Sequence, residues 1–235
     1  MGGWSQADFG VSELPRTAIM FAGGNPLDLE EKVIALFDNV IEKRHGVYHT
    51  YIVRKAQRDF ALLFQVYGPA LAVDGLHILH DGGCQEVLFI GYAWCCAKQA
   101  VVGDYILPSK TLLLDGFTNI LAPRAKWARA DTVMQSKIER AAQHLNKPIH
   151  KGVTVSIPSV FRKPKGYGET LKRVRGIAHE QELGSLLYFS KVLKMQSAGA
   201  LIVSDTFHQT LYGDQSVRVR AESLLRLASA TVGVL

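Results

Sequence analysis

Three cysteines in 235 residues are too few for a disulfide framework, and none lies in a C-x-x-C pair. Cys95 and Cys96 are neighbours and Cys84 stands alone, so all three read as core thiols of a reducing compartment. Long apolar runs are also lacking. A stretch such as Ala198–Val203 is far too short to span a bilayer. No basic segment followed by an apolar one and a small-residue cleavage site opens the chain, so the expectation is a cytoplasmic protein without a membrane anchor. There is no internal repeat and no low-complexity linker. The cationic surplus, net +6, is not gathered in one place but spread over Lys43-Arg44, Arg54-Lys55, Arg124 to Arg129, Arg162 to Lys165 and Lys172 to Arg175. A nucleic-acid binder concentrates such charge on one face and interleaves aromatics, so no nucleic-acid partner is expected. A small anionic ligand or plain solubility accounts for the surplus equally well.

What is present is an alternation of strand and helix signals. The start, Met-Gly-Gly-Trp-Ser-Gln, is polar and glycine-rich, and residues 1–15 are read as loose. Residues 16–235 are read as one domain. Thr17–Ala22 is a short apolar strand entering the turn Gly23-Gly24-Asn25-Pro26. Leu29–Phe37 has helical spacing, with Asp28 as N-cap and Glu31 completing a capping box. Val47–Val53 and Phe60–Val66 form a predicted hairpin. Helices are predicted over Pro69–His80, Asp131–Leu145, Glu180–Lys194 and Arg218–Ala230. Strands are predicted over Glu86–Ile90, Gly152–Ser156 and Ala198–Val203, and a further short one ends at Pro108. Several strands are apolar on both faces. That pattern predicts an α/β fold, a single domain of three layers (α/β/α) around a central mixed sheet. In such sheets ligands bind beyond the carboxyl ends of the strands.

Four features fall at those ends. The glycine turn lets backbone N–H groups approach an anion. Glu180-Gln181-Glu182 supplies carboxylates that can clamp vicinal hydroxyls, or simply suit the start of a helix. Asp205 follows a buried strand, where a partly desolvated carboxyl can donate a proton to a leaving group, or merely cap a turn. Phe161 can stack on a flat ligand or belong to the core. His77 and His80 sit one helical turn apart, but no third metal ligand with suitable spacing is evident. No metal and no cofactor are therefore expected. His179 and His208 flank the proposed site as candidate proton shuttles.

Taken in order, these segments resemble the nucleoside phosphorylase family, especially its uridine phosphorylase branch. The resemblance covers about Thr17 to Asp205. It runs through Gly24-Asn25-Pro26, Gly68-Pro69 with the following helix, Ile90-Gly91, Val102 to Pro108, Leu114-Asp115-Gly116 with Ala122-Pro123, His150 to Ser156, and Glu180-Gln181-Glu182 with Leu186. It implies that Glu182 holds ribose hydroxyls, with Glu180 beside it and Gln181 packed on the sugar. It implies that Asp205 protonates a purine-like leaving base, that Phe161 lines the base pocket, and that Gly24 belongs to the phosphate turn. Arg44 falls near an arginine that family members lend to a neighbouring subunit, which implies a homodimer or a higher homo-oligomer such as a hexamer.

The departures concern the anion. Asp28 stands where the family has an arginine and Phe89 where it has another. Tyr92 replaces a small hydroxyl residue and would border the pocket, and Ala93-Trp94-Cys95-Cys96 replaces a glycine-rich stretch. Pro164 and Gly166 replace the glutamine and arginine that read uracil. A carboxylate repels phosphate. The expectation is therefore hydrolysis of the N-glycosidic bond of a purine-like nucleoside, with water in place of phosphate and an acidic residue such as Asp28 activating it. The alternatives are a pocket turned to another reaction, such as cyclisation or condensation of an aromatic substrate; conventional phosphorolysis; and a non-catalytic binding or scaffold protein.

Overall fold

The computed structural model describes residues 3–24, 26–206 and 214–235. In chain order the elements are α1 (Trp4–Phe9), β1 (Thr17–Ala22), α2 (Leu29–Ile34), β2 (Asn39–His45), β3 (His49–Lys55), β4 (Arg58–Val66), α3 (Gly68–Asp81), β5 (Glu86–Cys95) and β6 (Tyr105–Leu113), followed by α4 (Phe117–Leu121), β7 (Trp127–Ala128), α5 (Thr132–Gln143), β8 (Ile149–Ser156), α6 (Tyr167–Arg173), β9 (Gly176–Glu180), α7 (Leu183–Val192), β10 (Gln196–Asp205) and α8 (Asp214–Val232). No helix among the described residues is long and apolar enough to cross a membrane.

All strands join one mixed sheet in the order β10-β6-β8-β9-β5-β1-β4-β3-β2, with β7 beside β6. Because β10 also pairs with β5, the strands β5, β10, β6, β8 and β9 close on themselves. The parallel set β4-β1-β5-β10 meets the parallel set β6-β8-β9 through two antiparallel junctions, β10 with β6 and β5 with β9. Nothing in the strand signals anticipates that closure, which depends on long-range pairing.

The alternation of β1 explains the layers. Ala18, Met20 and Ala22 pack with Leu76 and Leu79 of α3 and Leu183 and Leu186 of α7. Ile19 and Phe21 pack on the opposite face with Val33 of α2, Ile138 of α5 and Leu224 and Leu227 of α8. A strand rises with side chains alternating between faces, so one continuously apolar segment feeds both cores.

Several expectations need correcting. The N-terminal segment is not loose throughout: α1 buries Phe9 at 1% exposure, and the Ser5 N–H donates to Asp81 Oδ2 at the end of α3. The predicted Leu29–Phe37 helix stops at Ile34. Asp28 has φ 54 and makes no side-chain cap, so the capping box does not form. Strand β2 is an extra edge strand, missed because its side chains are mostly exposed and show no alternation. Strand β6 does not end at Pro108 but runs through it, with a register shift against β8 between Pro108 and Lys110; a bulge tolerates the missing donor. The segment read as a helix from Glu180 begins as a strand. Glu180 ends β9, and α7 starts only at Leu183.

Candidate functional site

The carboxyl ends of β1, β5, β9 and β10 meet around an open cavity of about 180 Å³. Its walls include Gly23, Tyr92, Trp94, His179, Gln181, Glu182, Ser204 and Asp205. Consecutive residues such as Ser204 and Asp205 cannot face one cavity along a regular strand. They do so here because the pairing of β10 with β5 shifts register between Val203 and Asp205, a bulge that re-aims the strand end.

Glu182 and Asp205 therefore share one cavity although they stand far apart in sequence. Both are buried. The Glu182 carboxyl accepts the Gly68 N–H at the start of α3 at 2.7 Å. Burial, and after it the nearby Glu180 carboxylate, push the Glu182 pKa up to about 8. Asp205 Oδ2 accepts the Ser204 hydroxyl at 2.7 Å.

Glu180 borders the cavity, but its oxygens are engaged elsewhere. Oε2 accepts the N–H groups of Glu182 and Leu183 at 2.6 and 2.5 Å. Oε1 accepts the Gly184 N–H at 3.3 Å and the Ser156 hydroxyl. An ionised carboxylate has about four acceptor positions, and all are used. Burial raises its pKa against these same bonds. Glu180 thus holds the first turn of α7 and places Glu182, instead of offering itself to a sugar. Gln181 lines the cavity, with its Nε2 donating to the Pro158 carbonyl at 3.1 Å.

The aromatic wall is not the expected one. Phe161 is 81% exposed and does not line the cavity. Its place is taken by Trp94 and His179, stacked with centroids 4.8 Å apart and planes within 18°. Tyr167 hydrogen-bonds to His179 Nδ1 at 2.7 Å. Burial, then the Lys163 charge, push the His179 pKa down to about 3, so near neutral pH its imidazole is neutral and not an acid shuttle. His208 lies outside the described residues. We expect Phe161→Ala to leave substrate turnover within about twofold of the parent and Trp94→Ala to raise KM roughly fivefold, since stacking on an aromatic wall contributes on the order of 1 kcal/mol; steady-state kinetics on both variants check this.

The anion positions also differ from expectation. Asp28 is exposed and lines neither the cavity nor the small hollow at Gly23 and Gly24. Phe89 does not intrude on ligand space but is fully buried in the core. Tyr92 lines the main cavity beside Gly23: a Cβ added there would meet its ring at 3.7 Å, an ordinary contact distance, while one added at Gly24 would meet nothing within 4 Å. The hollow at Gly23 and Gly24 has a volume of only about 10 Å³, and the carboxylate bordering it is that of Glu30. One cation does reach the main cavity. Arg220 of α8 lines it, with its guanidinium 5.7 Å from the centre of the Tyr92 ring. The Tyr92 hydroxyl and Arg220 Nε are buried without a hydrogen-bond partner among the described residues. Burial pushes the Tyr92 pKa up to about 12, with the Arg220 charge opposing. No spacing signal marks Arg220 as a site residue, and only the return of α8 brings it in; Trp94, in the stretch that departs from the family pattern, and His179, beside the Glu180-Gln181-Glu182 segment, are brought together by the pairing of β9 with β5. Arg44 lies exposed on β2, outside the cavity of its own chain.

Comparison with curated proteins yields no match. Among solved structures, the chain is similar to 5'-methylthioadenosine/S-adenosylhomocysteine nucleosidase from Neisseria meningitidis in complex with methylthio-immucillin-A. The TM-score is 0.78 at 18% identity, covering 94% of this chain and all of that one. At that identity the likeness speaks to the fold. The sequence itself matches the Phosphorylase superfamily over residues 18–233, nearly the whole chain, and the protein belongs to that family.

Proposed function

We propose that the protein cleaves the N-glycosidic bond of a purine-like nucleoside by hydrolysis. The observation that carries this reading is the charge of the cavity wall: the buried carboxyls of Glu182 and Asp205 line it, and Arg220 is the single arginine or lysine among the described residues that do. Phosphorolysis needs a dianion held under the sugar, and cations are the main means of holding it.

In this reading the Trp94–His179 pair stacks on the leaving base. Glu182, largely protonated at neutral pH, both donates to and accepts from the sugar hydroxyls. Asp205 donates the proton that lets the base depart. The sugar then carries oxocarbenium-like positive charge, as in other glycosidic cleavages. A water adds to the charged sugar carbon, and its proton passes to the Asp205 carboxylate left when the base departed. Asp28, exposed and outside the lining of the cavity, has no part in this. The nucleoside-analogue complex of the similar nucleosidase supports a nucleoside-like ligand. Arg44, exposed on β2, supports a homo-oligomer in which it completes a neighbour's site.

Conventional phosphorolysis is the second reading, favoured by Arg220, whose Nε is an unused donor in the cavity wall. Incubation with a panel of nucleosides, with and without phosphate, separates the two. Free base released equally in both conditions is expected. Release only when phosphate is present overturns hydrolysis, and no release from any nucleoside overturns both.

A further inference from the structure

Away from the main cavity, Glu30, His45 and His49 converge. Glu30 is in the first turn of α2, His45 ends β2 and His49 begins β3. The two histidines are direct cross-strand partners at the mouth of one hairpin. Their rings stack with centroids 4.1 Å apart and planes within 13°. His49 Nδ1 lies 3.0 and 3.1 Å from the two Glu30 oxygens, and His45 Nε2 lies 3.9 Å from Glu30 Oε1. One nitrogen from each ring and a Glu30 oxygen all fall within 4.8 Å of one another.

The proton arrangement around this carboxylate is informative. The Tyr51 hydroxyl lies 2.6 Å from Glu30 Oε1 and 2.7 Å from His45 Nε2. Its single proton serves the carboxylate, so His45 Nε2 must donate to the tyrosine oxygen. His49 Nδ1 must donate to Glu30, because a carboxylate only accepts. Tyr51 and His49 thus donate to the Glu30 carboxylate, and His45 donates to the Tyr51 oxygen that lies against it.

We propose that Glu30, His45 and His49 form a binding site for a divalent transition-metal ion of the zinc type. Two histidines and one glutamate are a ligand set that zinc accepts. A tetrahedral ion with bonds near ~2 Å sets its ligand atoms about 3.3 Å apart; His49 Nδ1 and Glu30 already stand at 3.0 to 3.1 Å, while His45 Nε2, at 3.9 Å, must close in as its stacked ring turns toward the ion. Both imidazoles would move their proton to the far ring nitrogen and present the near one to the ion. Glu30 would supply one oxygen, while Tyr51 keeps its hydrogen bond to the carboxylate as an outer support. The Glu30 side chain is 3% exposed and those of His45 and His49 are 52% and 32% exposed. The site is therefore anchored from inside and open outside, where water can complete the coordination. The ion would tie the β2–β3 hairpin to α2. This assignment does not depend on which bond the enzyme cleaves.

The test uses the full chain freed of metal with a chelator. Calorimetric titration with Zn2+ alone is expected to give one ion per chain, and Co2+ alone is expected to give the visible absorption of a low-coordinate site. His45→Ala and His49→Ala should each weaken Zn2+ binding by about 100-fold or more, with thermal melting confirming that both variants fold. The double variant His77→Ala/His80→Ala, at the other histidine pair, should bind as the parent does. Absence of Zn2+ binding by the parent overturns the proposal, as does unchanged affinity in both hairpin variants or loss of binding in the His77/His80 variant.

Discussion

Replacing Glu182 by Gln is expected to stabilise the folded protein at pH 8 to 9 by about 3–5 kcal/mol while suppressing catalysis. The Glu182 carboxyl is buried, and its pKa in the folded chain is about 8 against an ordinary value of 4.5. A carboxyl whose folded-state pKa is raised binds its proton more tightly in the native state than in the unfolded one. Its contribution is fully present below the unfolded value and is lost as pH rises through the folded one. The parent should therefore lose stability steadily between about pH 4.5 and 8 and then level off. Glutamine keeps the oxygen that accepts the Gly68 N–H but cannot ionise. Urea unfolding at a series of pH values checks this. The variant and parent curves should converge near pH 4 to 5, around the ordinary carboxyl value, and draw steadily apart from there to about pH 8. Parallel curves across the whole range would refute the assignment of a raised pKa. The loss of activity together with a gain in stability is the pattern expected of a carboxylate kept in an unfavourable place for function.

The second large effect is at the leaving group. Asp205→Asn should lower kcat for glycosidic cleavage by about 10²- to 10⁴-fold with little change in KM, the range for removal of a general acid. The asparagine keeps the oxygen that accepts the Ser204 hydroxyl, so the fold should be undisturbed and the melting temperature close to the parent's. The discriminating measurement compares substrates. A nucleoside whose base leaves readily without protonation should lose far less than a purine-like one. Equal losses on both would mean that Asp205 acts on the sugar or on the protein structure and not on the departing base.

Much of this architecture was legible in the residues themselves. The apolar run Thr17–Ala22 announced a strand buried on both faces, and Asp131 announced the start of α5, where its side chain accepts the Val133 and Met134 N–H groups. Both are local matters, settled by side-chain type and spacing within a few residues. The ordered segments ending at Glu182 and Asp205 were equally visible, because a family's turns and strand ends keep their order along the chain. What α1 and β2 do was not legible. The burial of Phe9 depends on a hollow made by distant elements, and β2 is an exposed edge whose partner, β3, is the only reason it is a strand.

The site divides in the same way. Sequence alone determined that this is a phosphorylase-type chain and pointed to Glu182 and Asp205 as its candidate site carboxylates. Only the tertiary structure decided that Glu180 is consumed in holding α7 and that Phe161 faces outward. It also decided that Trp94 and His179 stack into one wall, that Arg220 joins them and that Glu30 meets two histidines across a hairpin. The physical reason is that hydrogen-bond saturation, desolvation and ring stacking belong to groups brought together by non-local strand pairing. Those pairings, above all β10 with β5 and β9 with β5, leave no periodicity in the chain from which they could be read.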